Sequence, residues 1–591
     1  MHKKLLLFIF VLTVTLSIAG ADTNTDIIGR VILKKNSSLY IDKGRADGVQ
    51  IGNRIDIIYS GRTFGNALIN WVNDDISYAR LDSASFYRYY YIDPLEVKIY
   101  LEQSSKYAGG VIQVPYYHNL NLDPAELKYP DEMAVANLIY DGLVQLDAEG
   151  NIQPGLANSW EVHGNTYTFY LNSDIKFHSG KYLEALDVAY SLTQLAKADY
   201  LTPSSSFVVE IEGYDEVHSG KRSELRGVFI PNKHTIAITT KDKFVPFLKY
   251  LAGPAGYIKP SLESTPVPVG TGPFKIASMN SNKISLAANI DYFGGAPALD
   301  SIVFNYYKEQ KDAALDFELG RLDLIYFDSQ AERDLLTGGD YTSRRYYTSS
   351  SVMLGFNCAH KYETDCEFVK ALNYLFDKES IVRVLLGNAA KATDGLMPKS
   401  LGIETSPITQ YYYMPSEAET RIKDIKNLPD ELNLVYDGFD PALEGVADFI
   451  SGQLRHIGLK VKTIKADNRN LAKSTSLSSM DMYLFRYDLP VPDADDFFYP
   501  LFSTEFNGKL NYLNYDSQQL ERFISGARSI DDSYARDDIY REAETLVLGT
   551  PPVIPLYNPY LTVAFRRDLA GFTPDLRAYV NLRQTYFQAG K

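Results

Sequence analysis

The hydrophobic pattern along the chain changes from short alternating runs to a mixture of helical and extended patterns. Between residues 22 and 104, apolar and polar positions alternate in short runs, which is typical of β-strands. The runs that predict strands span residues 27–33, 38–42, 54–59, 67–72 and 77–81. Short strands this close together in the sequence predict a small β-barrel.

Two details of this segment bear on its shape and its partners. Ser60-Gly61 is a hairpin-turn signal between the third and fourth predicted strands. The tyrosine-rich run 87–91 fits a strand that closes the barrel, which we favour, and it also fits an exposed aromatic patch for a partner. The segment is similar to the small SH3-like β modules of some exported proteins. The small and polar residues at 102–109 predict a linker after it.

From residue 110 onward, strands alternate with helices. Residues 111–114 and 167–171 form extended patterns, whereas residues 132–143 and 185–196 carry apolar residues at helical spacing. This alternation predicts an α/β or α+β fold with more than one lobe. The length of 591 residues also favours several domains, at roughly 150 residues each.

The N-terminus predicts export. Two lysines precede an apolar run at residues 5–18 and an Ala19-Gly20-Ala21 cleavage signal, so we expect a signal peptide at residues 1–21. The run of 14 residues is shorter than the roughly 20 that span a bilayer. No cysteine stands directly after the run to carry a lipid anchor. We therefore expect the mature protein in the periplasm, where an outer membrane retains it.

The charge and the aromatic content of the chain limit the functions that the protein can have. Acidic residues outnumber basic residues by 74 to 59, for a net charge of −15, whereas a nucleic-acid-binding protein needs a basic surface. The chain has 45 tyrosines and only 2 tryptophans. Tyrosine offers an apolar face and a hydroxyl group, which suits a polar ligand cleft. A compositional bias of the source organism explains the count equally well.

No motif in the sequence predicts an enzyme or a cofactor site. The G-x-S-x-G and H-E-x-x-H patterns of hydrolases are missing. Gly270-Thr271-Gly272 lacks the lysine of a nucleotide-binding loop, so we expect a tight turn there, and we expect His178 to be structural. Asp493, Asp495 and Asp496 lack the glycine and glutamate of a calcium loop and predict a solvated acidic turn.

Cys358 and Cys366 are the only cysteines in the sequence. In an oxidising compartment such a pair often forms a disulfide. We therefore expect a disulfide here, in a hairpin that brings the two residues together. We do not expect a metal site, because too few other ligands lie nearby at metal-binding spacing.

A series of ordered segments resembles the family 5 extracellular solute-binding proteins, which are the dipeptide-, oligopeptide- and nickel-binding receptors of ABC importers. These segments are residues 121–124, 138–143, 153–160, 176–192, 268–275, 369–377, 540–544 and 551–557. The resemblance covers about residues 107–585. It implies a type II periplasmic binding protein fold of the α/β class, with three lobes that close over a ligand.

The resemblance also implies where the lobes begin and end. Lobe I would combine residues 107–142, 268–348 and 556–591. Lobe II would comprise residues 143–267, inserted in lobe I, and lobe III would comprise residues 349–555. The crossings between these ranges are the candidate hinges, where a few residues absorb the closure.

The resemblance points to four residues for the ligand. The segment 485–498 is similar to the family's Trp-x-x-Asp-Tyr segment, whose aspartate pairs with the free α-ammonium in peptide-binding members, and Asp488 matches that aspartate. Phe485 stands where the family usually has tryptophan. Asn357, on the strand that enters lobe III, implies an amide contact to the ligand. Arg345 implies a guanidinium for a ligand carboxylate or for a surface ion pair.

Together these observations predict a periplasmic receptor that captures a small solute and delivers it to the permease subunits of an ABC importer. A peptide is the first choice of ligand because of Asp488. We expect a monomer without cofactor, nucleic-acid partner or enzymatic activity. A nickel chelate, an opine or an oligosaccharide is the alternative ligand, since one fold hosts many ligands. The N-terminal module leaves a second alternative, a sensory or scaffolding protein tethered to a cell-envelope partner.

Overall fold

The computed structural model divides the chain into two compact units, Met1–Ser105 and Lys106–Lys591. The described residues are 26–35, 38–49, 53–60, 62–72, 75–80, 94–100, 107–127, 129–147, 150–199, 201–261, 267–327, 336, 341–359, 366–403, 411–438, 440–466, 480–575 and 579–588. The predicted signal peptide and the tyrosine-rich run 87–91 lie outside these ranges. Within them, no helix is long and apolar enough to cross a membrane.

The first unit is a closed antiparallel β-barrel. Its strands are β1 (Ile27–Lys35), β2 (Ser38–Ile41), β3 (Arg54–Tyr59), β4 (Arg62–Val72), β5 (Ser77–Arg80) and β6 (Glu96–Tyr100). They follow the order β1-β2-β5-β4-β3-β6. Alternate residues point into the core, such as Ile55 and Ile57 on β3 and Val97 and Ile99 on β6, which are fully buried. The predicted barrel is confirmed, and β6, which pairs with β1 and β3, is an additional strand that closes it.

The β3–β4 connection is the two-residue hairpin that the sequence predicts. Tyr59 and Arg62 are register partners on either side of the turn. Ser60 adopts a φ of +50°, in the left-handed region that tight two-residue hairpins require. The register shifts by one residue between Ile57 and Ile58, and beyond this bulge Ile55 and Ile57 point into the core of the barrel.

The second unit alternates strands and helices, as the sequence predicts. Its strands are β7 (Tyr107–Ala108), β8 (Val111–Tyr116), β9 (Val144–Leu146), β10 (Ile152–Pro154), β11 (Ala157–His163), β12 (Thr166–Leu171), β13 (Val228–Asn232), β14 (Thr235–Thr239), β15 (Phe274–Asn280), β16 (Lys283–Ala288), β17 (Ser301–Tyr306), β18 (Leu324–Phe327), β19 (Tyr341–Tyr347), β20 (Ser350–Phe356), β21 (Ala390–Ala392), β22 (Leu432–Asp437), β23 (Val461–Ala466), β24 (Met482–Asp488), β25 (Val553–Arg566), β26 (Leu569–Ala570), β27 (Thr573–Pro574), β28 (Val580–Asn581) and β29 (Tyr586–Gln588). Its α-helices are α1 (Pro130–Ile139), α2 (Ala185–Lys197), α3 (Tyr214–His218), α4 (Phe247–Leu251), α5 (Gln310–Glu318), α6 (Glu367–Asn373), α7 (Lys378–Ser380), α8 (Pro415–Lys423), α9 (Pro441–His456), α10 (Ala494–Phe502), α11 (Gln518–Arg528) and α12 (Ser533–Gly549).

Larger sheets organise this unit. One is antiparallel, with the order β11-β12-β14-β13, and another has the order β15-β16-β17-β8, with β8 parallel to β17. The largest has the order β18-β25-β20-β24-β22-β23, with β19 and β21 also paired to β25. The long strand β25 pairs through its first part with β20 and through its last part with β18 and β19. It therefore joins two parts of the unit by a continuous backbone.

The buried apolar side chains of this unit fall into separate cores. One core joins β8, α1 and β15–β17 with the end of β25. Another lies between β20, β22, α6 and α9. A further core joins residues 143–258 with α10, α11 and α12. This shared core runs across the boundary expected between lobes II and III, and the lobe boundaries themselves stay a prediction.

The turn Gly270-Thr271-Gly272 packs directly on the end of α1. A Cβ on Gly270 would lie 2.1 Å from the Ile139 carbonyl oxygen. His178 stabilises the turn through both ring nitrogens. In the neutral tautomer, the Nε2 donates to the Gly272 carbonyl at 3.0 Å, and the Nδ1 accepts from the Gly270 N–H at 3.4 Å. Burial lowers the pKa of His178, which favours this neutral ring. The glycines are therefore needed for close approach of two backbone segments.

Replacing Gly270 by alanine is expected to lower the free energy of unfolding by about 1–3 kcal/mol, because the new methyl group must displace the end of α1. Gly452 on α9 is the matched control, since a Cβ there meets nothing within 4 Å. Gly452→Ala is expected to stabilise the protein by about 0.5–1 kcal/mol through helix propensity. Thermal unfolding of both variants checks this, and equal effects at the two sites would contradict it.

Candidate ligand-binding cavity

The second unit contains a cavity of about 1020 Å³. This volume lies at the upper end of the roughly 300–1,000 Å³ of small-molecule pockets. Its walls lie at strand ends: Tyr117 and Tyr306 at the ends of β8 and β17, and Asp437, Lys465 and Asp488 at the ends of β22, β23 and β24. Within each set, neighbouring strands run parallel. Their carboxyl ends therefore meet at one edge, where α/β sheets bind ligands.

Tyrosine dominates the aromatic lining of the cavity. The aromatic residues that line it are Tyr117, Tyr129, Tyr306, Tyr326, Tyr483, Phe485, Tyr487 and Tyr512, together with His118. Tyr483 stacks on Phe485 with ring centroids 4.9 Å apart, and Tyr117 meets Tyr326 edge-on at 5.4 Å. These rings combine apolar faces with hydroxyl groups. The lining therefore suits a ligand that carries polar groups along an apolar frame.

The carboxylate of Asp488 is held by side chains on two adjacent strands. The Arg486 Nε donates to Asp488 Oδ1 at 2.7 Å, and the Ser350 hydroxyl donates to the same oxygen. Arg486 and Asp488 are two residues apart on β24, so they share one face of the strand, and Ser350 is the register partner of Asp488 on β20. Asp488 Oδ2 accepts no hydrogen bond from the described residues. That oxygen is therefore open to a ligand donor.

A second polar group at the wall is centred on Asp131. Its Oδ2 accepts from the N–H groups of Tyr117 and His118, each at 3.1 Å, and lies 2.9 Å from His118 Nδ1. The His118 ring stacks on Tyr129 with centroids 4.4 Å apart. Burial alone raises the pKa of Asp131, but the charge of His118 and these hydrogen bonds outweigh it and bring the pKa below its usual value. The ionised carboxylate thus holds His118 in place at the cavity wall.

A match to a known family model covers this part of the molecule. The model of the bacterial extracellular solute-binding proteins, family 5 Middle, matches residues 151–509, which is more than half of the chain. The chain belongs to this family. The resemblance carried by its ordered sequence segments is thereby confirmed.

Curated relatives of this family 5 protein differ in the ligand for which they are named. The nickel-binding periplasmic protein of Escherichia coli is 26% identical over 377 residues, which cover 58% of this chain and 68% of the relative. The glutathione-binding protein GsiB of Salmonella paratyphi A is 25% identical over 485 residues, which cover 76% of this chain and 89% of GsiB. Both relatives are solute-binding proteins.

A solved structure confirms the predicted type II periplasmic binding protein fold of the family 5 chain. It is the ABC transporter-associated periplasmic binding protein DppA from Helicobacter pylori, in complex with the peptide STSA. The match has a TM-score of 0.71 at 22% identity and covers 82% of this chain and 99% of DppA. At this identity, the likeness concerns the fold alone.

The structure brings two of the four predicted ligand residues to the cavity of the family 5 protein. Asp488 and Phe485 line it, whereas Asn357 does not. The Asn357 side chain is buried, its Nδ2 donates to the Met480 carbonyl at 3.0 Å, and its Oδ1 accepts from the Asn514 amide at 3.0 Å. These bonds use both ends of the amide, and the ligand contact of Asn357 stays a prediction.

Arg345 also lies away from the cavity lining. It is an exposed residue of β19, and its guanidinium lies over the Tyr560 ring at 5.2 Å from the centroid. Tyr560 belongs to β25, the strand that pairs with β19. Arg345 thus makes a contact between paired strands at the surface, and its predicted role toward a ligand carboxylate or in a surface ion pair stays a prediction.

The disulfide between Cys358 and Cys366 stays a prediction. The structure records the two sulfur atoms without a bond between them. The Cys358 Sγ donates to the Phe356 carbonyl at 3.6 Å. Cys366 adopts a left-handed backbone conformation, with φ of +56°, at the start of α6.

Sequence reasoning missed Arg486, His118 and Tyr129 at the cavity wall. The sequence does indicate Arg486, because a residue two positions from Asp488 on a strand faces the same side. No comparable pattern marked His118 and Tyr129. The rings of His118 and Tyr129 stack on each other. Asp131 at the start of α1 supports this contact because it bonds to His118, in the loop that follows β8.

The acidic run after β24 is the buried start of α10, whereas the sequence predicts a solvated turn. Asp493, Asp495 and Asp496 are 3%, 0% and 0% exposed. Asp493 caps α10 by accepting from the Asp495 N–H at 2.9 Å. The prediction of a solvated turn is wrong because the core shared by residues 143–258 and α10–α12 covers the run.

Cations from distant parts of the chain balance two of these carboxylates. Arg536 on α12 donates through Nη1 to Asp493 Oδ2 at 2.8 Å. Arg528 on α11 lies 3.1 Å from Asp495 and donates to Glu210 at 2.8 Å. Charged pairs of this kind are stable in a core only when every member finds a partner. They tie the segment around Glu210 to the helices α10–α12.

Asp496 lacks such a cation among the described residues. Its Oδ2 accepts from the Val491 N–H at 3.0 Å, whereas its Oδ1 is buried without a hydrogen bond. Burial raises the pKa of Asp496 well above its usual range against the effect of the Val491 hydrogen bond, and the carboxylates of Asp495 and Asp493 add to the rise. Asp496 therefore keeps its proton at pH values where an ordinary aspartate has lost it.

The raised pKa of Asp496 predicts a pH dependence of stability. Above the ordinary pKa of 3.8, the unfolded chain has released this proton while the folded protein still holds it. Stability from this group therefore falls as pH rises, by about 1.4 kcal/mol per pH unit, until the pH passes the raised pKa. Unfolding of the wild type and of Asp496→Asn between about pH 5 and pH 6 should show this difference in slope. The exposed Asp291→Asn serves as control, and parallel curves for Asp496→Asn would contradict the prediction.

Proposed function

We propose that this protein is the periplasmic receptor of an ABC importer and that it captures short peptides with a free amino group. The observation that carries the proposal is the Asp488 carboxylate at the cavity wall. Arg486 and Ser350 hold one of its oxygens and fix the side chain, while the other oxygen is open to a ligand. A ligand ammonium can donate to this open oxygen, and a hydrogen bond in which both groups are charged is stronger than one between neutral groups.

The size and lining of the cavity support a peptide. A volume of about 1020 Å³ accommodates more than a single small ion or amino acid. Tyrosine hydroxyl groups can bind amide groups of the ligand, and the ring faces can pack on side chains of varied sequence. Because one curated relative is named for glutathione and another for nickel, a metal chelate is the alternative ligand.

Capture is expected to occur by closure around the ligand. The cavity wall draws on residues 117–133, 306–311, 437–440 and 483–490, which belong to different sheets and cores. A ligand that touches several of these segments favours the closed arrangement by its differential affinity for it. In the proposed function, the closed arrangement is the one that the permease subunits of the importer recognise.

Native mass spectrometry of the purified chain from residue 22 to 591, followed by denaturing extraction, tests the proposal. A ladder of masses that matches short peptides would support it. The same extraction after dialysis against mild denaturant, which removes bound solute, is the control. A single non-peptide mass or a metal chelate would remove the peptide proposal and identify the ligand.

A further inference from the structure

We infer that the cavity selects ligands with an aromatic side chain, and that Tyr483, Phe485 and Tyr512 bind the ring of that side chain. These three residues are called the aromatic corner below. The inference rests on the proposed function, because it names which short peptides the cavity prefers. It makes Tyr512 a specificity-determining residue, although Tyr512 lies beyond the residues 151–509 that the family model matches.

The rings of the aromatic corner offer a ligand two kinds of aromatic contact, and all of them line the cavity. The rings of Tyr483 and Phe485 are stacked, with centroids 4.9 Å apart and an angle of 10° between their planes. The Tyr512 ring stands at 87° to the Tyr483 ring, with centroids 6.4 Å apart. Because the face of an aromatic ring is negative and its edge is positive, rings prefer offset-stacked and edge-to-face contacts. A ligand ring in this corner can meet the face of one ring and the edge of another.

Tyr512 is the residue of the aromatic corner that is most open to a ligand. It is partly exposed, whereas Tyr483 and Phe485 are only 3% and 5% exposed. Burial raises the pKa of Tyr512 to about 12, and its hydroxyl makes no hydrogen bond to the residues that the structure describes. The ring is therefore neutral, and its polar end is not held by the protein. Both properties leave it available for contact with an uncharged ligand ring.

Apolar side chains pack around the aromatic corner. Gly355 is the register partner of Tyr483 on the adjacent strand β20. A Cβ at Gly355 would lie 2.5 Å from Leu513 Cδ2 and 3.2 Å from Phe485 Cε1, so the glycine allows Leu513 and Phe485 to pack closely. The segment 501–513 contributes only uncharged residues to the lining, namely Leu501, Leu510, Tyr512 and Leu513. This part of the wall therefore suits an apolar side chain.

The charged residues of the lining belong to other segments of the chain, which are 118–131, 308–311, 437–440, 465 and 486–488. One of them, Asp437, acts on the aromatic corner itself. Burial raises the pKa of Tyr483 well above its usual value, and the charge of Asp437 adds to this rise, so the Tyr483 ring also stays neutral. Charged groups bind the charged and polar groups of a ligand, but they do not distinguish one uncharged side chain from another. The aromatic corner can make that distinction.

Two side chains with the same carbon skeleton test the inference on the wild-type protein. Phenylalanine and cyclohexylalanine differ in that only phenylalanine is aromatic. A wall that is merely apolar would bind the saturated ring at least as tightly, because the saturated ring buries no less apolar surface. Alanine tripeptides that carry one of these side chains at the first or second position are titrated calorimetrically into the ligand-stripped mature chain. At one of the two positions, the phenylalanine peptide is expected to bind about fivefold more tightly than its cyclohexyl counterpart.

A substitution then assigns the preference to Tyr512. Tyr512→Leu keeps an apolar side chain but removes the ring, so the preference is expected to fall below about twofold. Tyr413→Leu is the matched control, because Tyr413 is 50% exposed and lies outside the cavity lining. It is expected to keep the preference of the wild type.

Equal or tighter binding of the cyclohexyl peptides at both positions would overturn the inference, and so would a preference that is unchanged in Tyr512→Leu. Binding of none of the tripeptides would also overturn it. The solutes recovered by native mass spectrometry distinguish this failure from failure of the proposed function. Recovered peptides without enrichment of aromatic residues would remove the inference and leave the proposed function standing, whereas a non-peptide solute would remove both.

Discussion

Replacing Arg528 by methionine is expected to lower the free energy of unfolding of the second unit by about 3–5 kcal/mol, the range for removing one partner of a buried ion pair. Arg528 lies between Glu210 and Asp495, 2.8 Å and 3.1 Å away. Its guanidinium also lies over the Tyr499 ring, 3.7 Å from the centroid. Methionine would fill much of the same space but would leave two buried carboxylates without their cation.

The loss of stability in Arg528→Met is expected to be smaller at lower pH. In the wild type, burial raises the pKa of Glu210, but the Arg528 charge outweighs it and brings the pKa below its usual value. Without Arg528, Glu210 and Asp495 lose the cation that favours their charged forms. The destabilisation of Arg528→Met should therefore shrink as the pH falls toward about 5, because a protonated carboxyl group needs no cation.

Urea unfolding followed by the fluorescence of Trp160, in a Trp71→Phe background, measures this effect in the second unit. Trp160 packs against the core that contains α10–α12. Arg522→Met on the same helix is the control, because Arg522 is exposed and surface substitutions usually stay within about 0.5 kcal/mol. A loss below about 1 kcal/mol for Arg528→Met would mean that the ion pairs do not stabilise the shared core.

Replacing Asp488 by asparagine is expected to weaken peptide binding about 30-fold, which corresponds to roughly 2 kcal/mol, the low end for a hydrogen-bonded charge pair in an interface. Asparagine keeps an oxygen that can accept from Arg486 and Ser350, so the wall retains its shape. It loses the negative charge that the ligand ammonium requires. Arg486 then loses the charge of Asp488 beside it at the cavity wall.

Titration of the peptides recovered from the wild type into both proteins measures this effect. Asp531→Asn is the matched control, because Asp531 is 77% exposed and pairs with Lys243 outside the cavity lining. It should bind like the wild type. Unchanged affinity in Asp488→Asn would show that the ligand ammonium binds elsewhere and would remove the observation on which the peptide proposal rests.

Local patterns predicted much of the fold. The period-two run at residues 54–59 became β3, and the helical spacing at 185–196 became α2, each within one residue of the observed end. The strand β6 shows the limit of such a prediction. Its Val97 and Ile99 do alternate with Glu96 and Lys98, but its role in closing the barrel depends on pairing with β1 and β3, far away in the sequence.

The candidate site was predictable only in part. Asp488 and Phe485 were found because they stand in a segment that resembles a family pattern, and both line the cavity. Asn357 directly follows β20, and its amide bonds to Met480 and Asn514, away from the cavity lining. Which way a side chain at a strand end points depends on neighbours that the strand pattern does not contain.

The sequence by itself determined the secondary-structure elements, the small β-barrel and the family, because these depend on periodicity and on segments whose order is read directly. Tertiary structure alone decided which charges are buried and what they meet. Asp493 pairs with Arg536, 43 residues away, and Glu210 pairs with Arg528, 318 residues away. A run of three aspartates looks solvated until such distant cations are brought to it. The free energy of a charge depends on its surroundings in space, and only folding defines those surroundings.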